Sequence, residues 1–158
     1  MKNTKFSSLK VLYFVLALLI TLPTLTGCKK EGCTDANASN FDSKADEDDG
    51  SCVLPRTAML GTYDVTEACN SGTWSYTLIV NESTTGTDAI ILQNLGGFEP
   101  AVSVRASVAS NGNISLNDTQ SGGTFSGSGA LNNNTLTINY ALSSPDYNDD
   151  CTATGIKQ

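Results

Sequence analysis

Apolar and polar residues alternate along most of the chain beyond residue 60. Five segments are regular enough to define one apolar face each. Their apolar positions are Tyr63 and Val65; Trp74, Tyr76, Leu78 and Val80; Val102, Val104, Ala106 and Val108; Ile114 and Leu116; and Leu136, Ile138, Tyr140 and Leu142. A period of two residues is typical of strands that bury one face and expose the other, as antiparallel strands do. No helical period is present in this region, so an all-β domain is predicted.

Seven clusters of turn-forming residues divide this region into eight short segments. The clusters are rich in Gly, Asn, Asp and Ser, and they lie at 69–72, 81–88, 94–100, 110–113, 118–123, 132–134 and 143–150. Eight short strands joined by short turns predict an antiparallel up-and-down β-barrel. In the sixth segment Phe125, Gly127, Gly129 and Leu131 share a face, and the two glycines indicate either a bend or room left for a ligand.

The first 27 residues are organised like a bacterial export signal. Lys2, Lys5 and Lys10 precede an apolar run over 11–22, which is shorter than the ~20 residues of a membrane-spanning helix. The run is followed by Leu25-Thr26-Gly27-Cys28, which resembles the lipobox of bacterial lipoproteins. The resemblance implies cleavage before Cys28, acylation of this residue, and a lipid anchor in the outer membrane facing the periplasm or the cell exterior. An ordinary signal peptide is the alternative.

Four cysteines remain once Cys28 is assigned to lipidation, and exported proteins keep their cysteines oxidised. Three pairings of the four are possible. The first barrel strand ends at Cys69 and the last begins at Cys151, and these two points meet at the closing seam of an eight-stranded meander. A Cys69–Cys151 disulfide is therefore predicted, together with Cys33–Cys52. Zinc is the alternative, but none of the spacings is Cys-x-x-Cys.

Cys33 and Cys52 bound a short acidic segment, residues 32–52. Its Gly-Cys-x-Asp start, its Ala-x-Asn-aromatic middle and its Asp-Asp-Gly-Ser-Cys end resemble a cysteine-bounded module of secreted Bacteroidota proteins. A unit this small needs a covalent staple, and Phe41 is predicted to pack on Ala38 and Ala45. Crowded carboxylates favour Ca²⁺, although the spacing is not that of an EF-hand loop; a solvated acidic spacer is the alternative. The candidate calcium ligands are Asp35, Asp42, Asp46, Asp48 and Asp49.

Composition and charge exclude several classes of function. The chain has no His, which removes imidazole-dependent catalysis and imidazole metal sites. Six basic against sixteen acidic residues follow residue 27, and this net charge of −10 argues against a nucleic-acid partner. No Ser-His, Cys-His or phosphate-loop motif is present, and Asp149-Asp150 is interpreted as an exposed loop tip. The protein is therefore predicted not to be an enzyme.

The predicted organisation is a signal peptide (1–27), a lipidated tether (28–31), an acidic module (32–52), a linker (53–59) and a barrel (60–158). The barrel is similar to small lipocalin-like domains of Bacteroidota lipoproteins at 60–63, where Tyr63 replaces the lipocalin Trp, and at 94–97, 125–129 and 151–153. The similarity implies a small apolar or amphipathic ligand. The aromatic residues predicted to contact it are Tyr63, Trp74, Tyr76, Phe125 and Tyr140. A barrel filled by its own side chains, presented on its lipid tether as a structural or interaction module for a surface partner protein, is the alternative.

Overall fold

Eight antiparallel strands close into a barrel, which confirms the predicted all-β, up-and-down fold. The computed structural model describes residue 27 and residues 29–158. Its elements are β1 (Glu31–Gly32), β2 (Glu47–Asp48), α1 (Pro55–Met59), β3 (Gly61–Cys69), β4 (Gly72–Glu82), β5 (Ala89–Gln93), β6 (Ser103–Val108), β7 (Asn113–Gln120), β8 (Gly123–Asn132), β9 (Thr135–Ser143) and β10 (Asn148–Lys157). Strands β3 to β10 follow one another around the barrel, and β10 returns to pair with β3.

The pairing of β10 with β3 forms the closing seam of the barrel. Its register places Cys151 opposite Cys69 at one end and Lys157 opposite Tyr63 at the other. A disulfide joins the two cysteines, whose Cα atoms are 4.0 Å apart, as the strand order predicted. The two cysteines are 82 residues apart in sequence, so the bond closes most of the barrel into one covalent loop.

Side chains from all eight barrel strands fill the interior. Buried and more exposed positions alternate along strands such as β6, β9 and β10, as the period of two predicted, whereas Ala89 and Ile90 of β5 are buried at consecutive positions. The large side chains with the smallest exposure include Tyr63, Leu78, Ile90, Leu92, Leu136 and Ile138. Ser, Thr, Asn and Asp occupy most of the outward positions, so the barrel presents a polar outer face and an apolar inner one.

A short helix covers one end of the barrel, which we call the closed end. Helix α1 begins with Pro55, which suits a first helical position, and its Met59 is buried against the core. The Tyr63 hydroxyl donates to the Met59 carbonyl at 2.7 Å, and Lys157 Nζ donates to the Ala58 carbonyl at 2.7 Å. The sequence predicts a linker over 53–59 instead, because a helix of five residues is too short to show a period. Among the described residues, no helix has the length and apolar character needed to cross a membrane.

Arg56 fastens α1 to the loop between β4 and β5. Its Nη1 donates to the carbonyls of Ser83 and Ala89, at 3.3 and 3.2 Å, and to that of Gly86. Its Nη2 lies 3.8 Å from the Glu82 carboxylate. The guanidinium of Arg56 thereby links the helix, the loop and the end of β4.

The acidic module packs beside the closed end. Strands β1 and β2 form a small parallel sheet, and the Cys33–Cys52 disulfide staples the segment as predicted. Asn37 Nδ2 donates to Thr87 Oγ1 of the β4–β5 loop at 3.0 Å. Phe41 is 45% exposed, so it is not a buried centre of the module, and its packing on Ala38 and Ala45 stays a prediction. A segment of this length cannot enclose a phenyl ring, and the residues it does bury are small ones such as Cys33.

Gly127 and Gly129 allow β8 and β9 to approach closely. A Cβ atom on Gly127 would lie 2.1 Å from the Asn139 carbonyl oxygen and 2.6 Å from Tyr140 Cα. A Cβ atom on Gly129 would lie 2.5 Å from the Thr137 carbonyl oxygen. The suggestion that these glycines leave room for a ligand is therefore wrong, because the backbone of β9 fills that space.

Candidate ligand-binding site at the barrel mouth

The end of the barrel opposite α1, which we call the mouth, contains a cavity of about 370 Å³. It lies where β3 and β9 end and β4 and β10 begin, beside the loop over 94–102 that joins β5 to β6. The side chains around it include Glu67, Trp74, Phe98, Leu142, Tyr147 and Asp149. Pockets that hold small organic ligands have volumes of ~300–1,000 Å³, so the mouth cavity is large enough for a small one.

A cluster of aromatic rings forms the apolar side of the mouth. Phe98 and Leu142 line both the mouth cavity and a neighbouring cavity of about 160 Å³. The Phe98 ring meets Phe125 edge-on, with centroids 6.3 Å apart, and Phe125 lies 5.8 Å from the Tyr140 ring. The loop that carries Phe98 is thereby held against the barrel core.

A buried carboxylate lies at the base of the mouth cavity. Glu67 occupies an inward position of β3, two residues after Val65, and is only 2% exposed. The Tyr140 hydroxyl donates to Glu67 Oε1 at 2.6 Å, and the Tyr76 hydroxyl donates to Oε2. Oε1 also lies 3.2 Å from Cys69 Sγ. The two hydroxyl groups replace part of the hydration that the carboxylate loses on burial.

The tyrosines that hold Glu67 are strongly perturbed. The pKa values of Tyr76 and Tyr140 are both raised well above the ordinary value of 10.0. Burial is the largest cause for each, and the neighbouring Glu67 charge adds to it because a carboxylate disfavours a phenolate. Both hydroxyls therefore keep their protons at neutral pH and serve as donors to Glu67.

A second carboxylate, that of Asp149, lies at the rim of the mouth. It is 5% exposed, so the interpretation of Asp149 as part of an exposed loop tip is wrong, because β10 includes it as an inward position. Its Oδ1 accepts the backbone N–H groups of Asn70 and Asp150, at 3.0 and 2.9 Å, and its Oδ2 accepts the Ser71 hydroxyl and, at 2.6 Å, that of Tyr147. The hydrogen bond from Ser71 is the largest cause that lowers the pKa of Asp149.

Four of the five predicted aromatic ligand residues lie at or just below the mouth. Trp74 forms part of the cavity wall and is 45% exposed, although its strand parity predicted an inward position like that of Tyr76. Tyr76 and Tyr140 hold the buried carboxylate, and Phe125 is the central ring of the aromatic cluster. Tyr63 lies at the closed end with its hydroxyl bonded to the backbone, so the structure does not bring it to this site.

Three residues of the mouth were not predicted from the sequence, for different reasons. Glu67 carries a signal, because it continues the inward parity of Tyr63 and Val65 at a position that an apolar residue would ordinarily fill. Phe98 and Tyr147 lie in turn clusters, where no period indicates the direction of a side chain.

The five candidate calcium ligands do not converge on one point. Asp35, Asp42, Asp48 and Asp49 each accept a hydrogen bond from the backbone N–H two residues further along the chain, at 2.8, 2.9, 3.0 and 2.9 Å. Asp46 accepts the Lys30 backbone N–H at 3.2 Å, and Lys30 Nζ pairs with Asp42. These carboxylates therefore shape local turns, and calcium binding by the module stays a prediction.

Within the part of the chain that the structure describes, one group of three potential metal ligands lies within 4.8 Å, namely Glu67, Cys69 and Cys151. The two sulfur atoms are joined in a disulfide, so they lack the thiolate character that a metal ligand needs. A surface hollow of about 540 Å³ lies on the outer face of the barrel among small polar residues such as Ser126, Asn139 and Thr152. The mouth cavity, by contrast, combines apolar walls with buried polar groups.

The sequence matches no protein-family model and no curated protein. Among solved structures, a protein of unknown function from Bacteroides ovatus superposes with a TM-score of 0.46 and 14% identity, covering 62% of this chain and 41% of that one. A Bacteroides fragilis protein, described as a "putative outer membrane protein", gives a TM-score of 0.41 and 16% identity, covering 66% of this chain and 52% of that one. This chain therefore spans about half or less of either protein.

The fold and the site together define a class of protein. The chain forms a small up-and-down barrel of eight strands, sealed by a disulfide along one seam and by a helix at one end. Its other end holds a cavity with aromatic walls and buried carboxylates.

Proposed function

We propose that this protein is a lipid-anchored bacterial binding protein that holds a small amphipathic molecule at the barrel mouth. The observation that carries the proposal is the 370 Å³ cavity, in which Trp74, Phe98 and Leu142 provide apolar surface beside two buried carboxylates. Ligand pockets typically combine mostly apolar walls with a few fixed polar groups.

The ligand contacts the end of the barrel and does not enter its centre. Leu78, Ile90, Leu92 and Ile138 are almost fully buried in the middle of the barrel, where their side chains pack on one another. A deep ligand chamber of the lipocalin type would need that volume. The proposed ligand is therefore small, or it projects from the mouth into solvent.

The position of the acidic module supports a mouth that faces away from the membrane. The module contacts the closed end through Asn37 and Thr87, and Cys28, the proposed lipidation site, directly precedes it. Cys28 and the proposed signal sequence lie outside the described residues. Anchoring is tested by metabolic labelling with palmitate: the wild-type protein takes up label and fractionates with membranes, and Cys28→Ala abolishes both. Unchanged labelling of the variant contradicts lipidation at this residue.

A protein partner is the second candidate, and the rim of the mouth favours it. Trp74 and Tyr147 are 45% and 43% exposed, and exposed aromatic side chains are common anchors in protein interfaces. In that case the barrel is a rigid scaffold and the rim loops are the recognition surface, as in other proteins that carry recognition on loops.

Native mass spectrometry of the lipoprotein, released from the membranes of its own host, separates the two candidates. A small-molecule binder retains a co-purifying molecule of a few hundred daltons, and Trp74→Ala loses it. The matched control is Phe41→Ala, which removes an equally exposed aromatic side chain from the acidic module, away from the mouth, and is expected to retain the molecule. A protein that carries no small molecule, but a stoichiometric protein partner that Trp74→Ala loses, contradicts the binding-protein proposal.

A further inference from the structure

Charge is distributed unevenly between the two ends of the barrel. Five acidic residues lie at the mouth, in or beside its cavity and loops: Glu67, Glu99, Asp146, Asp149 and Asp150. The six basic residues of the described chain lie elsewhere: Lys29, Lys30 and Lys44 in the acidic module, Arg56 and Lys157 at the closed end, and Arg105 on the outer face of β6. Clefts that carry one sign of charge between low-dielectric walls concentrate ligands of the opposite sign.

Glu67 has acceptor capacity that its protein neighbours do not use. Each of its carboxylate oxygens accepts one tyrosine hydroxyl, from Tyr140 and from Tyr76, whereas an ionised carboxylate offers about four acceptor positions. Its partners are neutral, and neither Glu67 nor Asp149 takes part in any ion pair among the described residues. Asp149 differs, because its four bonds saturate it.

The aromatic wall complements a positive charge. Trp74 lines the same cavity as Glu67, and the face of an indole ring attracts ammonium and guanidinium groups more strongly than other aromatic side chains do. Phe98 and Leu142 offer apolar contact to the remainder of such a ligand. A calcium ion does not suit this site, because Ca²⁺ needs six to eight oxygen ligands and the cavity walls are largely apolar.

We propose that the mouth cavity binds an organic cation, in which a protonated amine or guanidinium pairs with Glu67 and an apolar body lies against Trp74 and Phe98. The inference rests on the proposed function and deepens it, since it names the class of ligand. Glu67 is the direct partner of the cation. Asp149 contributes long-range attraction and holds the rim in place through Ser71 and Tyr147.

The charge preference is measured with three probes of nearly equal size: 2-phenylethylamine, 2-phenylethanol and phenylacetate, which are positive, neutral and negative at neutral pH. The lipidated protein is reconstituted into phosphatidylcholine vesicles. Binding is followed by tryptophan fluorescence, because Trp74 is the one tryptophan of the chain and lines the cavity. The amine is expected to bind about tenfold or more tightly than the alcohol, the acid is expected to bind most weakly, and added salt is expected to reduce the advantage of the amine.

A matched pair of variants assigns the preference to one carboxylate. Glu67→Gln is expected to abolish the advantage of the amine over the alcohol. Asp150→Asn removes the same charge from a neighbouring but outward position and is expected to retain the advantage. The affinities of the wild-type protein for the three probes test the charge preference by themselves, so the test does not depend on the folding of Glu67→Gln.

The outcomes separate this inference from the proposed function. Equal affinities for the amine and the alcohol, or tighter binding of the acid, overturn the cation inference and leave a binding protein for neutral or anionic molecules. A fluorescence signal that responds to none of the three probes overturns both the inference and the proposed site. An amine preference that persists in Glu67→Gln and disappears in Asp150→Asn overturns the assignment to Glu67.

Discussion

Replacing Tyr140 by Phe tests whether the buried charge of Glu67 depends on its two tyrosine partners. The variant keeps the ring that packs on Phe125 and removes the hydroxyl that donates to Glu67 Oε1 at 2.6 Å. Hydrogen bonds to charged groups contribute about 1.5–3 kcal/mol, against about 1 kcal/mol for neutral pairs. We therefore expect the free energy of unfolding to fall by about 2–3 kcal/mol, a large part of the ~5–15 kcal/mol of a typical domain.

The structure supplies a matched control at the other end of the barrel. Tyr63→Phe removes an equally buried hydroxyl whose acceptor is the neutral Met59 carbonyl at 2.7 Å, so a loss of about 1 kcal/mol is expected. Equilibrium unfolding in urea with the disulfides intact measures both, and a change of about 2 kcal/mol moves the midpoint by roughly 1 M. The double variant Tyr140→Phe with Glu67→Gln completes the cycle, and a coupling energy of about 1 kcal/mol or more is expected.

Two results would refute this reasoning. If Tyr140→Phe and Tyr63→Phe cost the same, the acceptor of Tyr140 does not behave as a buried charge. If Tyr140→Phe costs as much in the Glu67→Gln background as in the wild type, the two groups are not coupled, and the cavity base is not organised as the structure indicates.

Three further predictions concern the same barrel. The pKa values of Tyr76 and Tyr140 are raised above the ordinary 10.0, so their contribution to the free energy of unfolding is fully present below pH 10 and falls as the pH rises further. Tyr140 alone is expected to lower the free energy of unfolding by about 1.4 kcal/mol per pH unit, which rapid alkaline unfolding measures. Replacing Cys69 and Cys151 by Ala is expected to cost about 4.5 kcal/mol for a sequence separation of 82 residues, measured by urea unfolding. Gly127→Ala places a methyl group against the β9 backbone, 2.1 Å from a carbonyl oxygen, and is expected to cost about 2–3 kcal/mol in the same assay.

Each of these predictions has its own control. The alkaline loss of stability is expected to be shallower in Tyr140→Phe, and an identical slope contradicts its assignment to that hydroxyl. A cost below about 1 kcal/mol for the cysteine pair would mean that the seam holds without its covalent link. Ser126→Ala, at the exposed neighbour of Gly127, is expected to stay within about 0.5 kcal/mol of the wild type, so an equal loss in both variants contradicts the close-approach argument.

The architecture was accessible from the sequence because it depends on local patterns. The turn clusters predicted eight strands, and the period of two in segments such as 136–142 gave five of them one apolar face each. The seam disulfide followed from topology, since Cys69 and Cys151 stand at the end of the first strand and the start of the last. Both inferences need only nearest-neighbour connectivity.

The site was accessible only in part, because it is assembled from the ends of strands that are distant in sequence. The alternation along the strands predicted that Trp74, Tyr76 and Tyr140 belong to the site. It does not show how far along the barrel axis a residue lies, so Tyr63, which lies at the closed end, was wrongly grouped with them. Asp149 was assigned to a loop because the turn cluster at 143–150 includes the first three residues of β10 as well as the four residues between β9 and β10. Strand ends are where turn-forming composition and strand pairing overlap.

The helix at 55–59 and the two glycines of β8 show a different limit. The helix is stabilised by tertiary contacts, among them the hydrogen bonds of Arg56 to the β4–β5 loop. Such contacts cannot be predicted from the sequence of five residues. Gly127 was ambiguous in the sequence because a missing side chain accommodates a ligand and a neighbouring backbone equally well. Only the position of β9 distinguishes the two.

The central claim is that small organic molecules bind at the mouth of the barrel and not elsewhere. A ¹H–¹⁵N correlation spectrum of the labelled protein, recorded during titration with 2-phenylethylamine, tests it most directly. We expect the backbone signals of Gly96 and Gly97 and the indole signal of Trp74 to shift together and saturate, while those of Ala58 and Met59 at the closed end stay fixed. Shifts confined to the closed end or to the acidic module, with the mouth signals unmoved at saturating probe, would contradict it.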